Sequence, residues 1–333
     1  MTPRTRRRAR LVVVAAAIAV AAAAIAAIVG TATGLFQGGT QPPGPGTRFA
    51  VLAESAAATA SVTATGTARA AADYLAAQPT AYWLTPERDP VGTAQGRVAQ
   101  LAAEARAQQA TLALVIYGLP ARDCGNHSAG GLDAEDYPTW IGEIAAALTA
   151  ASDVPAVIVL EPDSLALAPE CGNLDARVPQ LRAAITALQR SGTWIYLDGG
   201  HSNWHPATQT AQLLHAVGTE GVRGFATNVS NFNDTDAEVD YAHAVAAALR
   251  DLGGGDTHAL VDTSRNGAGS DGQWCNPPGR RVGAASGTIG DDVVDTNLWI
   301  KIPGESDGPC NGGPAAGQWW PAAAIELTRD ARG

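Results

Sequence analysis

What most constrains this chain is a repeated pattern. A short β-branched or aromatic run ends in polar residues, and an Ala/Leu-rich stretch with helical spacing comes after it. The runs predict strands at Thr80–Leu84, Leu112–Tyr117, Ala156–Leu160, Trp194–Leu197, Gly224–Thr227, Ala259–Asp262 and Asn297–Ile302. The stretches between and after them predict helices at Gly96–Gln109, Tyr137–Ala151, Asp175–Arg190, Pro206–Val217, Ala237–Leu252 and Pro321–Arg329. Strands that alternate with helices build an α/β domain in which a parallel sheet is covered by outer helices. About seven to eight strands, with no glycine-rich GxGxxG turn, favour a TIM-like barrel over an open sheet.

In a parallel barrel, groups from separate strands converge only beyond the strands' C-terminal ends, so chemistry is sought there. Nearly every predicted strand ends in a polar cluster: Tyr117 to Asp123, Glu161-Pro162-Asp163, Asp198 to His201, Asn228 to Asn231, Asp262 to Asn266 and Lys301 to Asp307. One such cluster is readily a solvated turn; six in succession are harder to dismiss.

The N-terminus has a different character. Arg4, Arg6, Arg7, Arg8 and Arg10 precede a nineteen-residue apolar run from Leu11 to Val29, the pattern of an export leader. The run is also just long enough to cross a bilayer, so residues 1–30 are expected to be either a signal peptide or an N-terminal membrane tether. Both place the rest of the chain outside the cytoplasm. Residues 31–47 form a Gly/Pro-rich spacer, and residues 48–333 are expected to form one domain. Without the leader arginines, 17 basic residues face 32 acidic ones, which argues against a nucleic-acid partner. Four cysteines, Cys124, Cys171, Cys275 and Cys310, are expected to be bridged outside the cytoplasm. Three pairings are possible, of which the sequential one closes loops of 47 and 35 steps.

The carboxylates suggest acid–base work. Asp163 follows the apolar run Val157-Ile158-Val159 directly, and a carboxyl partly buried beside others has its pKa raised. Asp123, next to Cys124, is the natural neighbour. Asp198 and His201 follow another strand, with Gly199 and Gly200 between them, and Asp262 has Arg265 as an expected ion-pair partner. Lys301, Glu305 and Asp307 bring the last charges to the rim. Eight tryptophans stand against four phenylalanines; Trp83, Trp204, Trp274 and Trp299, at or beyond strand ends, are placed to stack on sugars. A serine esterase lacks its G-x-S-x-G elbow. His127, His201 and His205 do not form an H-E-x-x-H site, so neither a metal nor another cofactor is expected. A non-catalytic carbohydrate-binding protein would want the tryptophans but not the focused carboxylates.

At these residues the chain resembles glycoside hydrolase family 6, the inverting cellulases, both endoglucanases and cellobiohydrolases. The segments that carry the resemblance are VIYGLPARDCGNHSAGG from Val115, VIVLEPDSL from Val157, IYLDGGHSNWH from Ile195, GFATNVSNF from Gly224, VDTSRNG from Val261, WCNPPGRRVG from Trp274 and LWIKIPGESDG from Leu298. The resemblance implies a distorted, incompletely closed parallel barrel that hydrolyses β-1,4-linked glucan with inversion. It makes Asp163 the general acid, Asp123 the aspartate that raises its pKa and assists the base, Tyr117 the tyrosine beside the distorted sugar, and Asp307 the candidate base. Lys301 and Glu305 match residues that hold glucose units; Asn228 and Asn231 stand in a matching strand-end segment and are expected at the substrate. It also implies the pairs Cys124–Cys171 and Cys275–Cys310. Relatives commonly have DAGH where this chain has DGGH at 198–201.

Inversion needs an acid on one side of the bond and an activated water on the other face. Because Asp123 adjoins a bridged cysteine while Asp307 sits in the flexible composition GESDG, a water chain to Asp123 is the expected base route. Short segments between the paired cysteines point to an open cleft and internal cleavage, and an active site complete within one chain points to action as a monomer.

Overall fold

The computed structural model describes residues 41–331 except 127. The leader, most of the spacer and His127 lie outside them. The compact unit begins at Pro42.

Seven parallel strands neighbour one another in space in chain order: β1 Tyr82–Leu84, β2 Leu112–Ile116, β3 Ala156–Leu160, β4 Thr193–Asp198, β5 Gly224–Thr227, β6 His258–Asp262 and β7 Val294–Leu298. The sheet curls into an incompletely closed half-barrel. Across the seam, Ala81 N–H donates to the Trp299 carbonyl at 2.9 Å and the Trp83 indole to the Ile300 carbonyl at 2.8 Å.

The sequence explains why the strands read as continuous apolar runs. Every residue of β2 and β3 is buried, because such a sheet is covered on both faces. Alternate side chains serve different cores, as the two-residue period requires. Leu112, Leu114, Ile116, Ile158 and Leu160 face the helices, whereas Ala113, Val115, Val157 and Val159 fill the barrel interior with Tyr196, Leu260 and Leu298. Each such aliphatic side chain contributes about 1.5–3 kcal/mol on burial.

Among the described residues, α1 Ala56–Thr63, α2 Gly66–Ala76, α3 Ala94–Gln108, α4 Asp136–Ala150, α5 Ala168–Cys171, α6 Leu174–Leu188, α7 Ala207–Val217, α8 Thr235–Asp251 and α9 Pro321–Leu327 complete the fold. The six predicted helices are present, with ends shifted by up to about two residues, as fraying termini allow. α1, α2 and α5 were not predicted. α1 is nearly all alanine and small polar residues, without an apolar stripe, and relies on Ser55 Oγ accepting the Ala58 N–H.

The last strand is a correction. It was expected at Asn297–Ile302 and runs instead from Val294 to Leu298. Ile300 and Lys301 leave the sheet because their N–H groups donate to the Asp262 carboxylate at 3.1 and 3.0 Å. The true strand contains buried Asp295, Thr296 and Asn297. Asp295 accepts two bonds from Arg223 at 2.7 Å and one from Tyr196 Oη at 2.6 Å, and a β-bulge shifts the register opposite Ala259 and Leu260.

Candidate active site

The polar strand ends open into a cleft of about 1000 Å³. Of the residues expected there, Trp83, Tyr117, Asp123, Asp163, His201, Trp204, Asn231, Trp274, Lys301, Glu305 and Asp307 line it.

At its floor, the turn after β3 places Glu161 at φ 52° and Asp163 at φ 66°, left-handed conformations that cost about 1–3 kcal/mol each for such residues. Glu161, passed over as a site residue, helps hold that turn. Its carboxylate accepts the N–H groups of Gly118 and Leu119 and the Tyr137 hydroxyl at 2.9–3.1 Å. Burial pushes its pKa up to about 7. It thereby ties the end of β3 to the loop that carries Asp123.

Asp163 is partly buried, and its N–H donates to Asp198 Oδ2 at 2.8 Å. Burial, reinforced by the charges of Asp198 and Asp123, holds its carboxyl well above the ordinary carboxylate range, with Lys301 opposing. Asp198 is 1% exposed and does not line the cleft, which corrects its expected place among sugar ligands. Burial takes its pKa to about 7 against the hydrogen bonds it accepts from the Asp163 and Gly200 amides.

Asp123 is raised as well, by burial, against the Tyr117 hydrogen bond and the charges of Arg122 and Arg177. Its Oδ2 accepts the Tyr117 hydroxyl at 2.5 Å, and its buried Oδ1 has no partner. Tyr117 is held edge-on to Trp83 at 5.4 Å between ring centroids, with the Arg122 guanidinium 4.5 Å from its ring centre. Cys124 is bridged to Cys171 and Cys275 to Cys310, so the loops bearing Asp123 and Trp274 are both stapled.

The far wall departs from expectation in its ion pairs. Arg265 does not pair with Asp262. It donates to both oxygens of Asp307 at 2.9 Å, and Lys301 Nζ lies 3.7 Å from the same carboxylate. Asp262 instead receives the N–H groups of Ser230, Ser264, Ile300 and Lys301 at 2.8–3.1 Å, fixing two strand ends. Nor is Asp307 flexible. Its carboxylate accepts the Asn276 N–H at 3.0 Å while its own N–H donates to Asn276 Oδ1 at 2.9 Å.

Two other expectations fail for reasons of burial. Trp299 is 1% exposed, packs with Ala57, Ala71, Leu75 and Ala324 beneath the helices, and donates its indole N–H to Ala284; one residue beyond β7, it faces outward. Asn228 is fully buried and bridges Asn233 to the Asp262 carbonyl, a scaffold for the loop that presents Asn231. At Gly199, a β-carbon would lie 3.2 Å from both the Ala226 oxygen and the Phe225 ring, so the missing methyl leaves no void.

Burial lowers the His201 pKa to about 4, so near neutrality the ring is uncharged. The His205 ring is engaged with the Ala166 carbonyl at 2.7 Å. Among the described residues, His243, Asp291 and Asp292 have ligand atoms close enough to share a cation. None of the three lines the cleft, and His243 Nε2 pairs with Asp291 at 2.9 Å.

A raised carboxyl among other carboxylates, under aromatic side chains at the open end of a curled parallel sheet, is an arrangement suited to cleaving glycosidic bonds. Comparison with known proteins makes the class specific: the description "Glycosyl hydrolases family 6" matches residues 47–331, and the chain belongs to that family. Endoglucanase A of Cellulomonas fimi is 40% identical over 270 residues, covering 81% of this chain and 58% of that protein. The chain thus aligns with less than two thirds of that relative. The 1,4-β-D-glucan cellobiohydrolase C of Emericella nidulans is 34% identical over 276 residues, covering 65% of this chain and 60% of that one. The solved endoglucanase Cel6 from Mycobacterium tuberculosis superposes with a TM-score of 0.78 at 38% identity, covering 86% of this chain and 98% of that structure.

Proposed function

We propose that this protein is an endo-acting β-1,4-glucanase that hydrolyses its substrate with inversion. The observation that carries the reading is Asp163: a carboxyl at the floor of an aromatic-lined cleft, kept protonated by burial and by two neighbouring carboxylates. Asp163 donates its proton to the glycosidic oxygen as the bond to the anomeric carbon breaks. A water attacks that carbon from the opposite face, and its proton passes through a second water to the Asp123 carboxylate. Tyr117 and Trp83, edge to face, offer the sugar an aromatic wall beside Asp163.

Asp307 is the less suitably placed base. Both its oxygens already accept from Arg265 Nη1 at 2.9 Å, one also accepts the Asn276 N–H at 3.0 Å, and Lys301 Nζ lies 3.7 Å away, so the carboxylate is turned to the wall rather than free to receive a water's hydrogen. The expected ground for preferring Asp123, a flexible Asp307 loop, is overturned; the ion pair supplies a different ground for the same choice.

Internal cleavage is supported by the loops around the cleft. Residues 199–206 and 228–234 connect strand directly to helix, and the longer segments 263–293 and 299–320 are stapled to each other by Cys275–Cys310. The two bridges also support a domain that works outside the reducing cytoplasm, delivered by the basic, apolar leader. No helix of the described residues is long and apolar enough to cross a membrane. One chain supplies all the site residues named, which supports action as a monomer.

The test of mode is viscometry on a soluble cellulose derivative. Endo action predicts a steep loss of viscosity per reducing end released. A proportionate, slow loss with cellobiose as sole product would establish the exo-acting alternative.

A further inference from the structure

We infer that Glu238, which does not itself line the cleft, is a positioning residue for the β4 side of the cleft; the inference rests on the glucanase reading for its kinetic part alone. Glu238 lies in the first turn of α8 and is completely buried. Its Oε1 accepts both the backbone N–H of Ser202 at 3.0 Å and the Ser202 hydroxyl at 2.7 Å. Ser202 stands in the middle of the loop 199–206, next to His201 and Asn203 and two residues from Trp204, all three of which line the cleft. The desolvation of Glu238 is offset by the two Ser202 donors, with the side chains of Asn233 and Thr227 adding to them.

The rest of that loop is held at its ends. The Gly200 carbonyl accepts the Asn228 N–H at 2.9 Å, and the His205 ring meets the Ala166 carbonyl. Between these anchors Asn203 reaches Asn233 at 2.9 Å, and Glu238 holds the remaining centre. Asp163 is fixed separately, by the hydrogen bond to Asp198 at the strand end. Cutting the Glu238–Ser202 tether therefore releases the His201–Trp204 wall, while the Asp163 N–H keeps its own bond to Asp198.

The experiment combines hydrogen–deuterium exchange with cellohexaose kinetics on the wild-type protein, Glu238→Gln, Glu238→Ala and Ser202→Ala. Glutamine keeps an acceptor oxygen for Ser202. Glu238→Ala is expected to speed exchange in 199–206 with little change around 160–165, and to raise KM about tenfold, the scale of a lost charge-assisted hydrogen bond, while kcat stays within about twofold. Ser202→Ala should move KM in the same direction by less, and it decides the matter if Glu238→Ala does not fold. Glu238→Gln should restore both readouts. Unchanged loop exchange in the alanine variants, or a glutamine variant as impaired as Glu238→Ala, overturns the inference. A wild-type protein that cleaves no β-glucan overturns the glucanase reading and leaves the exchange result to judge the tether.

Discussion

The backbone N–H of Asp163 donates to Oδ2 of Asp198 at 2.8 Å, joining two adjacent strand ends and placing one carboxyl in the field of the other. Asp198 acts on Asp163 through charge, since it does not reach the cleft. Asp198→Asn keeps an acceptor oxygen and removes the charge. Because a nearby anion raises the Asp163 pKa, the substitution lowers it. The acid is then lost at lower pH, and the alkaline limb of the kcat profile is expected to move down by about one unit. A limb that stays put or moves up contradicts this coupling.

The Arg265–Asp307 pair separates structure from catalysis. Arg265→Met leaves Asp307 with Lys301 and the Asn276 N–H and is expected to cost about 3 kcal/mol, measured by denaturant unfolding. Asp307→Ala is expected to lower activity through the disturbed wall and to show no rescue by added azide. Strong azide rescue of Asp307→Ala, with none for Asp123→Ala, would make Asp307 the base.

Buried acids set a pH dependence of stability. Glu161 and Asp198 are raised to about 7 in the folded chain from ordinary values of 4.5 and 3.8. The folded state holds their protons more tightly, so their contribution is present below the ordinary values and lost as pH rises through about 7. His201, depressed to about 4 from 6.5, opposes this only below about pH 6.5. Stability is therefore expected to fall by about 1–2 kcal/mol between pH 6.5 and 8, read as a drop of a few degrees in Tm by calorimetry. A rising Tm over that interval contradicts the assignment.

The two bridges close loops of 47 and 35 residues, each contributing about 4 kcal/mol in the chain-entropy account. Reduction should lower Tm sharply. Cys124→Ser/Cys171→Ser should also reduce kcat, because it frees the Asp123 loop. A reduced protein with unchanged Tm and rate would remove the bridges from the account.

Much of this was legible because burial on both faces forces apolar strands and a parallel barrel forces chemistry to their ends. The runs at Val115, Val157 and Ile195 therefore announce Tyr117, Asp163 and Asp198 together. Illegible were the partners that only three dimensions supply. Arg265 sits three residues from Asp262 yet reaches Asp307, because the Asp262 carboxylate is taken up by four backbone amides. A polar strand such as Val294–Leu298 hides because Asp295 and Asn297 satisfy their groups across the barrel floor and the adjoining loops. Trp299 looked like a sugar platform, but one step past the strand its side chain turns toward helices too alanine-rich to be foreseen. Glu161 stands out in the sequence only as a member of a strand-end cluster and Glu238 not at all; each gains its meaning from a loop far away in sequence.

The central claim, that Asp163 is the acid of an inverting glucanase, is tested most directly by proton NMR of cellohexaose during hydrolysis by the wild-type protein and Asp163→Ala. An inverting glucanase with Asp163 as its acid gives the α-anomer first, from internal bonds, and a folded variant in which hydrolysis is lost. The β-anomer first, or full activity in the variant, would contradict it.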